Sequence, residues 1–444
     1  MSAARKAAFN ILLAVERGRA HSDDLLRGRA MERLSAADKH LATALALGVL
    51  RWQIRLDHEL RALLAKPKVK LDDEVRVALR MGALQLRAMD RIPARAAIDE
   101  SVELTKLAGY RFASRMVNAV LRKLAAAEQP VWGSDSAEEL ALAEAHPAWM
   151  VERWAHIYGL EAARAICAHG QRQPRVTIRI SDEDAEAELA LAGLELQPGA
   201  LLRRARSVTS GDVTATEAFR MGRVRVQDEG SQLVAELAGR GKAILDMCAA
   251  PGGKTLILAE RNEGSRVVAC EASEVRLERM RDRMGAAGAQ VELRRADAAE
   301  WAEEAAFDVV LADVPCSGTG TLGRNPEIRH RLREEDLPRQ AERQRAILGA
   351  ALRAAKPGGQ VIYSTCSLEP EENDEVVRAV LAERSEAHVI SLAERIEELR
   401  NLGVLASDGA ERLAACVTRE GWLRLLPGVL GTDGFFIARM ERTR

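Results

Sequence analysis

Nowhere in its 444 residues does the chain carry an apolar run approaching the roughly eighteen residues needed to cross a membrane as a helix. The opening residues Met1–Lys6 lead into an amphipathic pattern, not the apolar core of a secretory signal, so the expected location is cytoplasmic. Cysteine is scarce: six residues, at 167, 248, 270, 316, 366 and 416, none in a Cys-x-x-Cys pair and none with clustered histidines. That spacing points to neither a zinc site nor a disulfide framework, and no metal is expected. Gly-x-Gly-x-x-Gly is missing, which weakens a dinucleotide reading, and no internal repeat or low-complexity tract is evident. With 47% hydrophobic and 30% charged residues the composition is globular, and the length allows two or three domains, each with its own core.

What is present is unevenly distributed. The net charge is −1, yet residues 1–130 hold 24 Lys+Arg against 15 Asp+Glu, a net of +9, leaving −10 for the remainder. A basic first third suits an electrostatic footprint for a polyanion, although a solvated charged face or a compositional bias toward arginine gives the same count.

Residues 1 to about 127 show helical periodicity throughout, as at Ala4, Ala7, Ala8, Ile11, Leu12 and Val15 and again at Val117, Val120, Leu121 and Leu124. Breaks at 18–22, 66–67 and 91–93 divide this part into several short helices. A Pro/Gly/Ser-containing stretch at 129–136 reads as a linker. Residues 140–225 mix a helix at 147–158, a strand at 175–180, a helix at 182–192 and short strands at 194–196 and 223–226, which suits a small α+β module of RRM-like type. From 226 to 444 strands and helices alternate as in a doubly wound sheet. Strands are expected at 243–247, 266–270, 291–294, 307–313 and 360–364, with an antiparallel hairpin from 422–426 and 435–440 at the sheet edge.

The chemistry-bearing segments lie in that last part. A strand runs into Asp246, Met247, Cys248, Ala249, Ala250, Pro251, Gly252, Gly253 and Lys254 and then into a helix. Glycines at such a turn let a ligand approach the backbone, and the helix N-terminus offers free amides. It is not a phosphate-binding P-loop, because Cys248 stands where that motif needs its first glycine. Glu271 and Asp297 follow the next two strands, in loops of one sheet, where carboxylates suit a nucleoside's hydroxyls. Cys316, in Asp313-Val-Pro-Cys316, and Cys366, in Ser364-Thr-Cys366, end two successive buried-strand patterns, and two converging thiols suggest covalent chemistry. Cys167, Cys270 and Cys416 read as plain core residues, and Cys248 as a backbone-placed member of the cofactor loop. For Lys254 three partners remain open: cofactor, RNA or a nearby carboxylate.

Together the segments Asp246–Lys254, Asp313–Gly320, Ser364–Ser367 with Glu371, Glu372 and Asn373, and Gly434–Phe436 resemble the S-adenosylmethionine-dependent RNA cytosine-5 methyltransferases. Val226–Gln232 is similar to the segment preceding that family's catalytic domain, and the helical part, including Asn118–Arg122, resembles the RNA-binding fold of the antitermination factor NusB. The combination is similar to that of the Sun/Fmu group, a resemblance that implies action on bacterial 16S ribosomal RNA. The resemblance implies a multidomain protein: an all-α NusB-like bundle at 1–130, the α+β module at 140–225, and at 226–444 a class I methyltransferase of Rossmann-like α/β fold with a mostly parallel seven-stranded sheet. It implies S-adenosylmethionine as cofactor, held by residues 248–254 with Glu271, Asp297 and Asp313, and 16S ribosomal RNA as partner of a monomer. One local departure stands at Ile328–Arg331, where the family pattern has tryptophan in place of His330.

The resemblance also assigns roles. Carbon 5 of cytosine is a poor nucleophile until a thiolate adds to carbon 6, an attack given to Cys366. Asp313 holds the ring nitrogen during addition, and Cys316 serves release of the product, as base or through one. Transfer RNA is the nearest alternative substrate. DNA cytosine methylation is disfavoured by the second motif with Cys366, and amino-group methylation by the lack of an Asp/Asn-Pro-Pro-aromatic run. A non-catalytic RNA-binding factor remains the alternative of a different class.

Overall fold

A computed structural model describes residues 1–443. The chain forms two compact units, one of Met1–Gln173 with Leu322–Arg331, the other of Pro174–Thr321 with Leu332–Arg444.

The first unit is helical, as its periodicity requires. Ala3–Glu16 starts at Ser2, whose side chain accepts from the Arg5 amide, and Ala36–Leu63 starts at Ser35, which accepts from that of Asp38. Asp73–Ala88, Ala94–Leu107 and Ser114–Ala126 complete the bundle around Leu12, Leu45, Leu79 and Leu121. The breaks fall where expected, but one helix runs 28 residues without interruption and is not short. The stretch 129–136 has no regular structure, yet it does more than link: Arg55 lies 4.9 Å from the centre of the Trp132 ring, and His58 meets the ring edge-on. Helices Ala137–Ala143, Ala148–Tyr158 and Leu160–Gln171 follow.

The inserted segment Leu322–Arg331 is bound to this unit by polar groups. Glu327, 3% exposed, accepts from the Ser22 amide and hydroxyl, and buried Arg329 donates to the carbonyls of Arg51, Ala145 and Gly170. His330 bonds the Leu50 carbonyl through Nε2 at 2.7 Å. The departure from the family pattern at 330 therefore sits against a helix of this unit, where burial drops the imidazole pKa to about 4.

The second unit holds two sheets. Strands β1 (Val176–Ile180), β2 (Glu195–Pro198), β3 (Ala205–Ser210) and β4 (Val224–Val226) form an antiparallel sheet in the order β2-β3-β1-β4. Its β1 is tied to the larger layer by Arg179, whose fully buried guanidinium pairs with Glu236 and Glu260.

The larger sheet comprises β5 (Ala243–Asp246), β6 (Arg266–Glu271), β7 (Glu292–Arg295), β8 (Phe307–Asp313), β9 (Ala355–Thr365), β10 (Ala387–Ile390), β11 (Leu423–Leu425) and β12 (Phe435–Arg442). The order is β10-β12-β9-β8-β5-β6-β7, with β11 paired to β12. Pairings from β7 to β9 are parallel and those of β12 antiparallel, so the expected edge hairpin is present and β10 is an eighth strand. Alternation along β8 sends Val309 and Leu311 to a core with Leu233, Leu237 and Ile396, and Val310 and Ala312 to one with Ile347, Leu348 and Val377. Helices Glu229–Ala238 and Leu392–Asn401 thus cover one face, Leu337–Ala354 and Asp374–Glu383 the other. The strand order reverses beside β5, where such sheets open a ligand crevice at the strands' carboxyl ends.

Candidate active site

Parallel neighbours β8 and β9 place Asp313 opposite Ser364, so the loops after them leave the sheet at one edge. Those loops bring Cys316 Sγ to 3.4 Å from Cys366 Sγ, both residues half-buried. Backbone bonds join the motif segments: the Val314 amide donates to the Ser364 carbonyl, that of Gly320 to Cys366, and that of Gly434 to Gly320. A Cβ at residue 320 would lie 2.6 Å from the Gly434 carbonyl oxygen, so glycine is required there.

Asp313 is fixed from two sides. Ser364 Oγ donates to Oδ1 at 2.7 Å, and Lys254 Nζ lies 2.7 Å from Oδ2. Burial opposes the Lys254 charge, but the charge of Asp313, its hydrogen bond and the nearby Cys366 sulfur raise the ammonium pKa. Of the three partners open for Lys254, the carboxylate is the one it meets. The Cys316 thiol is pushed well above its ordinary pKa by the hydrogen bond with Cys366, by burial, and by the charges of Cys366 and Glu372. A thiol held protonated beside a second sulfur is a hydrogen-bond donor to it.

The loop after β5, expected to hold the cofactor, turns on Gly252, whose φ of 96° is the left-handed region and which caps Gly253–Arg261. A Cβ on Gly252 would lie 2.6 Å from Met284 Cε. Arg276 and Arg283 donate to the carbonyls of Ala250 and Pro251 and hold the loop from outside. Ala249 is buried, and Cys248 is half-buried against the sheet core. Burial, then the charge of Asp246, push the Cys248 thiol well up. Asp246 is 1% exposed; Thr255 Oγ1 donates to its Oδ2, while Oδ1 is buried without a hydrogen-bond partner. Glu271, at the carboxyl end of β6, accepts from the Ser273 amide and faces Arg276 Nη1 at 3.3 Å. Asp297 is exposed and caps a turn by accepting from the Ala299 amide. Free helix amides, a left-handed glycine and acceptor carboxylates on adjacent strand ends are a donor set that fits a cofactor with an ammonium group and ribose hydroxyls.

Cys167 and Cys270 are buried, and burial raises both thiols to about 12; Cys416 is half-buried against the core. Sequence reasoning did not find Gln344, which reaches the Cys316 loop from the middle of a long helix, nor the part played by Glu372. Among the described residues no group of three or more His, Cys, Asp or Glu side chains could hold a metal, and no helix is long and apolar enough to cross a membrane.

This is the architecture of a class I methyltransferase, with two thiols in the loops after adjacent parallel strands, joined to a helical unit. Family models match in the same order: NusB over residues 2–126, the ferredoxin-like domain of RsmF/B-like methyltransferases over 146–207, and 16S rRNA methyltransferase RsmB/F over 237–441. The chain is 34% identical to the probable ribosomal RNA small subunit methyltransferase B of Bacillus subtilis, covering 99% of this chain and 98% of that one. It is 33% identical to the ribosomal RNA small subunit methyltransferase B of Pseudomonas putida, with 98% of each covered. A methyltransferase homolog protein from Pyrococcus horikoshii superposes with a TM-score of 0.56 at 26% identity, covering 69% of this chain and 99% of the other. The chain belongs to the 16S rRNA methyltransferase RsmB/F family, and S-adenosylmethionine is its methyl donor.

Proposed function

We propose that the protein methylates carbon 5 of a cytosine in 16S ribosomal RNA through a covalent adduct between Cys366 and the base. The observation that carries this reading is the 3.4 Å approach of the Cys316 and Cys366 sulfurs beside the Lys254–Asp313 pair. The names of the full-length relatives supply the substrate class.

Cys366 attacks as a thiolate. A bond forms from its sulfur to carbon 6, and the ring's π electrons move through carbon 5 toward N3, which takes a proton relayed by Lys254 and held against Asp313. Bound S-adenosylmethionine supplies the electrophilic methyl group that carbon 5 then takes. For release, a water-derived base removes the carbon-5 proton, the electron pair restores the 5,6 double bond, and the Cys366 sulfur leaves as thiolate. Cys316 donates its S–H to that leaving sulfur, while N3 gives back its proton.

The test is transfer of labelled methyl groups to undermodified small-subunit ribosomal RNA by wild type, Cys366→Ala and Cys316→Ala. Activity falls by ~10³-fold or more in Cys366→Ala, as for loss of a nucleophile. Cys316→Ala accumulates a protein–RNA complex that survives denaturation. Full activity in Cys366→Ala overturns the covalent assignment, and methylation of transfer RNA alone overturns the substrate.

A further inference from the structure

Behind the two cysteines sits a carboxylate to which the chemistry above gives no task. Glu372 is completely buried, in the turn Pro370–Glu372 that follows the Cys366 loop. Its Oε1 accepts from the Ser317 amide at 2.8 Å and from Gln344 Nε2 at 2.9 Å. Its Oε2 accepts from the hydroxyls of Ser317 and Ser367, which also lie 3.0 Å from each other. Ser317 follows Cys316 and Ser367 follows Cys366, so one side chain grips both cysteine-bearing loops at the residue next to each sulfur. Gln344 adds a third hold by donating from the same Nε2 to the Pro315 carbonyl at 2.9 Å. Four donors converge on two oxygens, the acceptor-only pattern of an ionised carboxylate.

A buried carboxylate is a costly way to join two loops if joining is all it does, because an amide or a hydroxyl pair leaves no charge in the interior. The charge has an electrostatic partner in the reaction. An anion on the Cys316 side and the Lys254 cation on the Cys366 side make the two thiols unequal. The groups that face Cys316 are Cys366 from the next loop, Glu372 from the following turn, Tyr363 from β9 and the Gly318 amide from its own loop.

We infer that Glu372 is a positioning residue for methyl transfer: it locks the Cys316 loop to the Cys366 loop so that the sulfurs stay in contact, and sets a negative charge behind Cys316. The inference rests on the proposed division of labour between the thiols. Cys316 can donate S–H to the leaving sulfur only while it holds that proton and that position. Removing the charge leaves attack by Cys366 in place and impairs release.

Glu372→Gln keeps the shape but turns one acceptor oxygen into a donor facing donors. On ordinary cytosine RNA we expect kcat to fall roughly 30- to 300-fold, the range in which a single transition-state interaction acts, with KM for RNA and methyl donor within about twofold. The denaturation-resistant protein–RNA complex accumulates as in Cys316→Ala. Ser367→Ala, which removes one of the four donors and leaves the charge, shows the same stall to a smaller degree and guards against a Glu372→Gln variant that does not fold. Independently of RNA, Glu372→Gln in a Cys366→Ala background speeds alkylation of Cys316 by iodoacetamide several-fold, read by mass spectrometry of the Cys316 peptide. Activity lost only in proportion to unfolded protein, with no stalled complex, overturns the inference, as does an unchanged alkylation rate. If Cys316→Ala itself stalls no complex, the covalent reading fails instead, and the alkylation rate still decides the role of Glu372.

Discussion

Lys254 Nζ and Asp313 Oδ2 meet at 2.7 Å across the gap between helix Gly253–Arg261 and the end of β8. The ammonium is held charged by Asp313 against the burial that opposes it, so its pKa lies above the usual lysine value. The sign follows: a raised base stabilises the folded state fully below its unfolded pKa, and that contribution is lost only as pH rises through the folded value. No alkaline loss of activity below about pH 10 is therefore assigned to Lys254. Lys254→Met, which leaves Asp313 with an unpaired charge, lowers kcat by ~10²-fold or more, and a pH–rate profile on the wild type checks the first statement.

Asp246 is the opposite case. Burial raises its pKa to about 7, the Thr255 hydroxyl opposes that shift, and the charge of Asp313 adds to it. A carboxyl with a raised folded pKa favours the folded state most below its unfolded value near 3.8, and that advantage disappears as pH rises through 7. Asp246→Asn retains an acceptor for Thr255 and cannot ionise. Its melting temperature in the absence of cofactor rises relative to wild type at pH 8, with a smaller difference at pH 5. Equal differences at both pH values contradict the assignment.

How much of this was legible in sequence differs by element. Buried parallel strands read as continuous apolar runs, so β8 was placed at 307–313 and is found there. The edge strand β10 was not, because Ala387–Ile390 pairs on one side only and carries a histidine. Nor was β3, whose Ala205–Ser210 has one large apolar side chain. At the site, Asp313, Cys316 and Cys366 stood out because strand ends and turn residues framed them. Gln344 did not, since an amide on an amphipathic helix reads as surface; only the fold turns it toward Pro315.

Arg329 donates to three carbonyls of the helical unit, those of Arg51, Ala145 and Gly170, with burial lowering its pKa to about 9. Arg329→Met leaves buried acceptors unpaired, at about 1–3 kcal/mol for each group that finds no water. The expected total is about 3 kcal/mol, measured by denaturant unfolding of the whole protein, with the midpoint shifted and the slope unchanged. A change below ~0.5 kcal/mol means that water replaces the guanidinium without loss.

The NusB-matching residues 2–126 lie within the net-positive first third of the chain, and Lys66, Lys68 and Lys70 stand exposed in one turn between two of their helices. If this region anchors RNA, each phosphate it neutralises releases a counterion, and log affinity falls linearly with log salt. A single-stranded contact contributes a slope of about 0.7 and a duplex contact about 0.9. Changing all three lysines to glutamine then reduces the salt slope of RNA binding by about 2, raises KM for RNA at physiological salt, and leaves kcat and affinity for the methyl donor unaltered, because none of the three lies in the methyltransferase unit. Binding titrations from low to high salt decide the matter: an unchanged slope means that the positive excess at these positions is a solvated surface and that RNA is held elsewhere.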